Sequence, residues 1–200
     1  MAEQEQWRVF CAIDFPQVIR EEVMAHSLRL RRAVPDSQAS WSRLDNIHLT
    51  IKFLGETPQS RVELLSLAAA NATEGHGSFP IRVGGSGVFP TQGDPKVLWI
   101  GIEDLKGRLA ELYMRLEDEC AKAGFKEDAR PFHPHLTVAR LRKPRHARTL
   151  ASAHKGMEFE PVEITVSELL VIRSKLSSEG SRYTVISRHR LDLPGETKKP

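Results

Sequence analysis

His48-Leu49-Thr50-Ile51-Lys52-Phe53-Leu54-Gly55 is echoed further along the chain by His135-Leu136-Thr137-Val138-Ala139-Arg140-Leu141-Arg142. Each stretch opens on His-Leu-Thr followed by a β-branched residue. Short apolar, β-branched runs of this kind read as strands, and side chains at i and i+2 of a strand share one face. Each triplet therefore sets a His beside a Thr and turns its Leu to the opposite face. Two such strands meeting would bring two imidazoles and two hydroxyls to one point. Imidazoles that titrate near neutrality can act as a matched acid and base, and hydroxyls can donate hydrogen bonds to an anion. The set His48, Thr50, His135 and Thr137 suits the breaking of a phosphate ester without a metal.

The surrounding sequence gives each triplet its own setting. Trp7 to Ile13 reads as a first strand, and Asp14-Phe15-Pro16 as a helix start. A helix follows to about Arg32. Ala39 to Arg43 is a short strand carrying Trp41, and Ile47 to Leu54 is the strand of the first triplet, stopped by Gly55. Thr57-Pro58 opens a second helix to about Ala72. Phe79 to Val88 is a strand interrupted by Gly84-Gly85-Ser86-Gly87, which predicts a bulge. Val97 to Ile102 is another strand. From about Asp104, Leu105, Leu109, Leu112, Tyr113, Leu116 and Cys120 keep helical spacing, and Gly124 is a natural C-cap. Pro131 to Leu141 carries the second triplet. Lys143 to Lys155 is helix-capable, Phe159 to Ile172 reads as one long strand, and Ser177 to Ser181 is a hairpin turn before a final strand from Arg182 to His189.

Strands joined by short turns, interspersed with four helices, make an α+β pattern with mostly antiparallel sheets. Each half of the chain carries strands, helices and one His-Leu-Thr. This implies two lobes related by a pseudo-twofold, each a sheet with helices on its outer face, with the site in the cleft between the sheets. Residues 1–194 are expected to form this single bilobal domain and residues 195–200 a frayed tail.

Composition narrows the class. The 200 residues are 40% hydrophobic and 28% charged, ordinary for a soluble globular chain of one domain or two small lobes. The polar start is not a signal peptide, and no apolar run nears the ~20 residues that span a bilayer. Cys11 and Cys120 are far apart and lack metal or redox spacing, which reads as a reduced, cytoplasmic protein. Net charge is +3. Arg140, Arg142, Lys143, Arg145 and Arg148 crowd the segment after the second triplet, where a phosphate would be met; Arg29, Arg31 and Arg32 read as a solvated face. His26, His76, His146, His154 and His189 read as surface or cap residues, and Trp7, Trp41 and Trp99 as core. His133 and His135 alternate as a metal pair would, but no carboxylate or Cys stands at matching spacing, so no metal and no cofactor are expected.

These residues carry a family resemblance that runs nearly end to end. Arg8-Val9-Phe10-Cys11-Ala12-Ile13, then Asn46 to Glu56 around the first triplet, Gly87-Val88-Phe89-Pro90, Val97 to Gly101, Arg130-Pro131-Phe132 with Pro134 to Arg140, and Gly180-Ser181-Arg182-Tyr183 all resemble the 2H phosphoesterase superfamily. Within it the chain is most similar to the RNA 2′,3′-cyclic phosphodiesterases, also called 2′-5′ RNA ligase-like proteins. The resemblance implies hydrolysis of RNA 2′,3′-cyclic phosphate ends, or of small cyclic nucleotides, to 2′-phosphates, with reversible 2′-5′ ligation as a secondary activity. It implies His48 as proton donor and His135 as proton acceptor, the pseudo-twofold leaving the two exchangeable. Thr50 and Thr137 would bind the phosphate oxygens. Arg140 is implied as a phosphate ligand, although strict alternation puts it on the face opposite Thr137. Phe53 could stack on a base or pack into the core. The rival reading is a nucleotide- or RNA-end-binding module with little turnover, and the default oligomeric state is a monomer.

Overall fold

A computed structural model describes residues 5–141, 146–178 and 180–191. β1 (Gln6–Asp14) buries both faces of its apolar run. Val9, Cys11 and Ile13 point into the main core, while Phe10 and Ala12 join Leu170 and Ile172 in a smaller cluster on the other side. The chain continues through α1 (Gln17–Ala33), β2 (Ala39–Trp41), β3 (His48–Pro58), α2 (Val62–Thr73), β4 (Phe79–Phe89), β5 (Val97–Glu103), α3 (Arg108–Lys122), β6 (His135–Leu141), α4 (Ala147–Gly156), β7 (Val162–Val166), β8 (Glu168–Ser177) and β9 (Gly180–Arg190).

All strand pairings are antiparallel, in the order β7-β4-β5-β6-β3-β1-β8-β9, with β2 beside β6. At the middle of this path β3 and β6 touch through one residue pair, Leu49 with Leu136. That seam divides the sheet into the two expected lobes. Helices α2 and α3 pack behind the β3-β1-β8-β9 lobe, and α1 and α4 behind the β6-β5-β4-β7 lobe. The α3 stripe Leu109, Leu112, Leu116 and Cys120 is fully buried, each Leu contributing about 1.5–3 kcal/mol. Gly124, at φ +76°, ends that helix as its sequence predicts, while Phe125 N–H bonds back to the Cys120 carbonyl at 2.9 Å.

The lobes are not the two halves of the chain. The unit β1-α1-β3-α2-β4 is repeated as β5-α3-β6-α4-β8, and each unit gives its last strand to the other lobe: β4 pairs with β5, and β8 with β1. The stretch read as one strand from Phe159 to Ile172 is two strands for this reason. β7 completes the second lobe beside β4 and the chain then crosses at Ser167 to begin β8 in the first. Two more boundaries differ. β3 runs through Gly55 to Pro58 because its later residues still pair with β1, and α2 starts after a short 3-10 turn at Gln59–Arg61. Arg142, Lys143, Arg145 and the 195–200 tail lie outside the described residues.

Candidate functional site

The seam fixes the site. With Leu49 opposite Leu136, both buried, the antiparallel register sets His48 across from Thr137 and Thr50 across from His135. All four half-buried side chains then face the cleft side. The two imidazoles are anchored alike. His48 Nδ1–H donates to the carbonyl of Asn46 at 2.9 Å, and His135 Nδ1–H to the carbonyl of His133 at 2.6 Å. In each case the acceptor lies two residues upstream, so both neutral rings carry their proton on Nδ1 and present Nε2 as a base. The Thr50 hydroxyl donates to His48 Nε2 at 3.0 Å.

Arg140 reaches this face, and the reason is a defect in alternation. Between β5 and β6 the register steps from Trp99–Thr137 to Leu98–Ala139, which leaves Val138 as an extra residue. Such a bulge shifts the parity of everything after it. Val138 and Ala139 are both fully buried, and Arg140 returns to the side of His135 and Thr137. Its charge acts on both His48 and His135. The same bulge occurs in β3. The register steps from Ala12–Thr50 to Cys11–Lys52, Ile51 and Lys52 are both buried, and Phe53 emerges 42% exposed. The repeat is thus six residues long, and its sixth position is Phe53 in one copy and Arg140 in the other.

Burial sets the state of the histidines. Desolvation pushes His48 down to about 4, helped by the charge of Arg140 and opposed by the Asn46 bond and by Asp14. His135 is lowered by burial, then by Arg140 and His133, against its bond to the His133 carbonyl. Both rings are therefore neutral at neutral pH in the unliganded site, and an acid role for either requires proton uptake when an anion binds. Among the described residues no three His, Cys, Asp or Glu side chains cluster as metal ligands.

Aromatic walls supply the desolvation, and sequence reasoning missed them. Phe10 stacks on His48 with centroids 4.8 Å apart, and Tyr183 meets it edge-on at 5.2 Å. Phe89 stands at 5.1 Å from His135 and Trp99 at 6.3 Å. Trp99 is thus a half-buried wall of the site, not core. Its ring lies flat on Gly87, where any Cβ would run into it. Phe10 could have been found from strand parity with Ala12, and Tyr183 from its place in the closing motif; Phe89 and Trp99 needed the β4–β5 pairing.

Three histidines read as surface or cap residues are buried. His76 is 1% exposed, and His26 and His154 are fully enclosed. His154, on α4, donates from Nε2 to the Trp99 carbonyl at 3.0 Å, so its Nδ1 accepts from His26 Nε2 on α1 at 2.9 Å. Arg29 Nη2 lies 3.4 Å from His26 Nδ1. This chain ties both helices of the second lobe to the strand that carries Trp99. Arg31, from the same cluster as Arg29, covers the Trp41 ring at 4.9 Å, so that cluster is only partly a solvated face. Cys11 and Cys120 are buried free thiols.

Comparison with known proteins identifies the family. The family model described as the 2′-5′ RNA ligase superfamily matches residues 16–177. A Methanothermobacter thermautotrophicus protein named RNA 2′,3′-cyclic phosphodiesterase is 32% identical over 185 residues, covering 92% of this chain and 98% of its own length. The Escherichia coli protein of that name is 29% identical, covering 94% and 98%. Among solved structures, TT0787 of Thermus thermophilus superposes with a TM-score of 0.75 at 26% identity, covering 93% of this chain and 98% of that one. Escherichia coli LigT complexed with 3′-AMP does so with a TM-score of 0.73 at 26% identity, covering 94% and 99%. The paired motifs, the fold and these matches together make the chain a member of the 2′-5′ RNA ligase superfamily.

Proposed function

We propose that this chain hydrolyses the 2′,3′-cyclic phosphate end of RNA to a 2′-phosphate, with His48 and His135 exchanging protons and no metal in the step. The observation that carries the reading is the repeated anchoring of Nδ1, which leaves two Nε2 atoms facing one cleft across the Leu49–Leu136 seam. The names of the relatives supply the substrate class. One chain holds both histidines, so the site needs no second copy.

The step balances as follows. His135 Nε2 takes a proton from water as the water oxygen bonds to phosphorus. The bond from phosphorus to the 3′ oxygen breaks, and protonated His48 gives its Nε2 proton to that oxygen. The product is a 2′-phosphate monoester with a free 3′ hydroxyl. Thr50, Thr137 and Arg140 hold the non-bridging oxygens, where negative charge grows. His48 gains its proton with the substrate, because a phosphodiester anion beside the ring favours the charged form. With a 5′ hydroxyl in place of water as the nucleophile, the same step forms a 2′-5′ linkage and frees the 3′ hydroxyl, a secondary activity.

The test is a panel of cyclic-phosphate-ended RNAs and nucleosides, with the phosphate position of the product assigned by ³¹P NMR. Turnover to the 2′-phosphate should persist in excess chelator and fall by at least ~10²–10⁴-fold in His48→Ala and in His135→Ala. Loss of activity on chelation with recovery on adding zinc overturns the two-histidine step. Tight binding of a 2′-nucleotide without turnover would make the chain a binding module.

A further inference from the structure

Beyond the cyclic phosphate, the concave face of the first lobe holds a second cation that the reaction does not use. Along β1 the side chains of Arg8, Phe10 and Ala12 share one face, and Phe10 and Ala12 form the floor beneath His48 and Thr50. Arg8 is therefore on the cleft side. Its guanidinium lies over the Phe53 ring, 4.6 Å from the centroid. Glu56 stands directly across from Arg8 in the β1–β3 register, yet no ion pair joins them. Other arginines of the sheet are paired. Arg173 pairs with Glu5 at 2.7 Å, Arg188 with Glu168 at 2.7 Å, and Arg82 with Glu103 and Glu163 at 2.9 and 2.7 Å. Among the described residues Arg8 and Arg140 make no ion pair, and both act electrostatically on the one phenol of Tyr183.

The spacing of the Phe53 and Thr50 rows along β1 matches a nucleotide chain. Phe10, opposite Phe53, lies two residues from Ala12, which stands opposite Thr50. At ~3.3 Å per residue that is about 7 Å between the row under the Arg8 guanidinium and the row of the reacting phosphate, of the order of one nucleotide step. Because the cyclic phosphate is a 3′ terminus, any second phosphate of the substrate lies on the 5′ side of its nucleoside. Phe53, 42% exposed, offers aromatic surface at this row beside the intervening nucleoside.

We propose that Arg8 binds the phosphate on the 5′ side of the terminal nucleoside, so that the site takes an RNA end in preference to a lone nucleoside cyclic phosphate. This rests on the reading of the cleft as a cyclic phosphodiesterase site. The phosphate could be an internucleotide diester or a 5′-terminal monoester, and the assay separates the two.

Initial rates are measured for uridine 2′,3′-cyclic phosphate, its 5′-phosphorylated form, and a dinucleotide ending in the same cyclic phosphate. Each is tested on the wild type, Arg8→Met, which keeps the stem over Phe53, and Arg8→Lys, which keeps the charge. Wild-type kcat/KM is expected to be about tenfold to a hundredfold higher for either substrate with a second phosphate. Arg8→Met loses that gain, Arg8→Lys keeps most of it, and the lone nucleoside cyclic phosphate is turned over equally by all three. The slope of log kcat/KM against log salt for the dinucleotide becomes shallower by about 0.7 in Arg8→Met, the value of one single-strand phosphate contact. A gain confined to the dinucleotide and indifferent to Arg8→Met belongs to the second base and overturns the proposal, as does an equal loss on all three substrates. If none is hydrolysed, the hydrolase reading fails separately. Titration calorimetry of a dinucleotide 2′-phosphate then decides the contact, unchanged affinity in Arg8→Met refuting it.

Discussion

The buried His26–His154 pair should make the protein acid-sensitive, and one substitution isolates the effect. His26 is fully enclosed, and burial, with the neighbouring imidazole of His154 and the charge of Arg29, pushes it from its ordinary 6.5 down to about 4. A histidine lowered in the folded state stabilises the fold above pH 6.5 and loses that contribution as pH falls towards 4, because the unfolded chain takes the proton first. The full difference is on the order of 3 kcal/mol, of which about 2.5 kcal/mol is gone by pH 4.5.

His26→Gln removes the titration while keeping a side-chain N–H where His26 Nε2 donates to His154 Nδ1. At pH 7.5 the wild type should lead by about 1 kcal/mol, the size of a slightly misplaced hydrogen bond. Urea midpoints at pH 7.5, 6.5, 5.5 and 4.5 should then show the lead shrink by about 2.5 kcal/mol, so that the two stability curves cross and the variant is the more stable at pH 4.5. The lowered histidines outside this pair, His48, His76, His135 and His189, titrate in both proteins and largely cancel in the difference. Parallel curves from pH 7.5 to 4.5 would show that His26 is not held neutral, and would refute the donor chain from Arg29 to the Trp99 carbonyl.

Other perturbations test the support of the site. Lys52, 2% exposed, donates to Glu117 at 2.6 and 2.7 Å and to the Lys126 carbonyl at 3.0 Å. Lys52→Met should cost about 3–5 kcal/mol by stranding the carboxylate, and adding Glu117→Leu should restore most of it; additive losses in urea denaturation would contradict this. Gly87→Ala should cost about 1–3 kcal/mol by overpacking against Trp99 and shift its fluorescence; an unchanged spectrum would mean the indole is free to move. Arg140→Met should raise the pKa of both His48 and His135, since its charge lowers both, and NMR titration of the ring protons reads the direction.

Much of this was legible in the sequence because its signals are local. Period-two alternation put Leu49 and Leu136 inward and His48, Thr50, His135 and Thr137 outward, and helical spacing gave α3 with its Gly124 stop. What escaped is set by pairing between distant segments. Nothing in Phe159 to Ile172 says that the chain changes lobe at Ser167, because each half is apolar enough to be a strand wherever it lands. His26 and His154 read as surface polar residues until α1 and α4 are packed together, since each satisfies the other across 128 residues of sequence. Arg140 was assigned to the wrong face by alternation alone, because a bulge is a property of the strand pair and not of one strand.

The bulges also bear on what makes two nearly identical histidines different. Up to the fifth residue the two motifs are alike in fold: Nδ1 anchored upstream, Leu buried, Thr beside His, then two consecutive buried residues. By symmetry alone, a cyclic phosphate could enter either way round, and either histidine could be the acid. The sixth residue removes that freedom. A phosphate is drawn to Arg140 and an uncharged ring to Phe53, so in the proposed reaction the nucleoside leans over the first lobe while the phosphate oxygens turn towards the second. That orientation sets which bridging oxygen lies beside His48 and which face of phosphorus is open to water beside His135. In that proposal the direction of proton transfer follows from the two side chains that the bulges expose, Phe53 and Arg140, rather than from any difference between the imidazoles themselves.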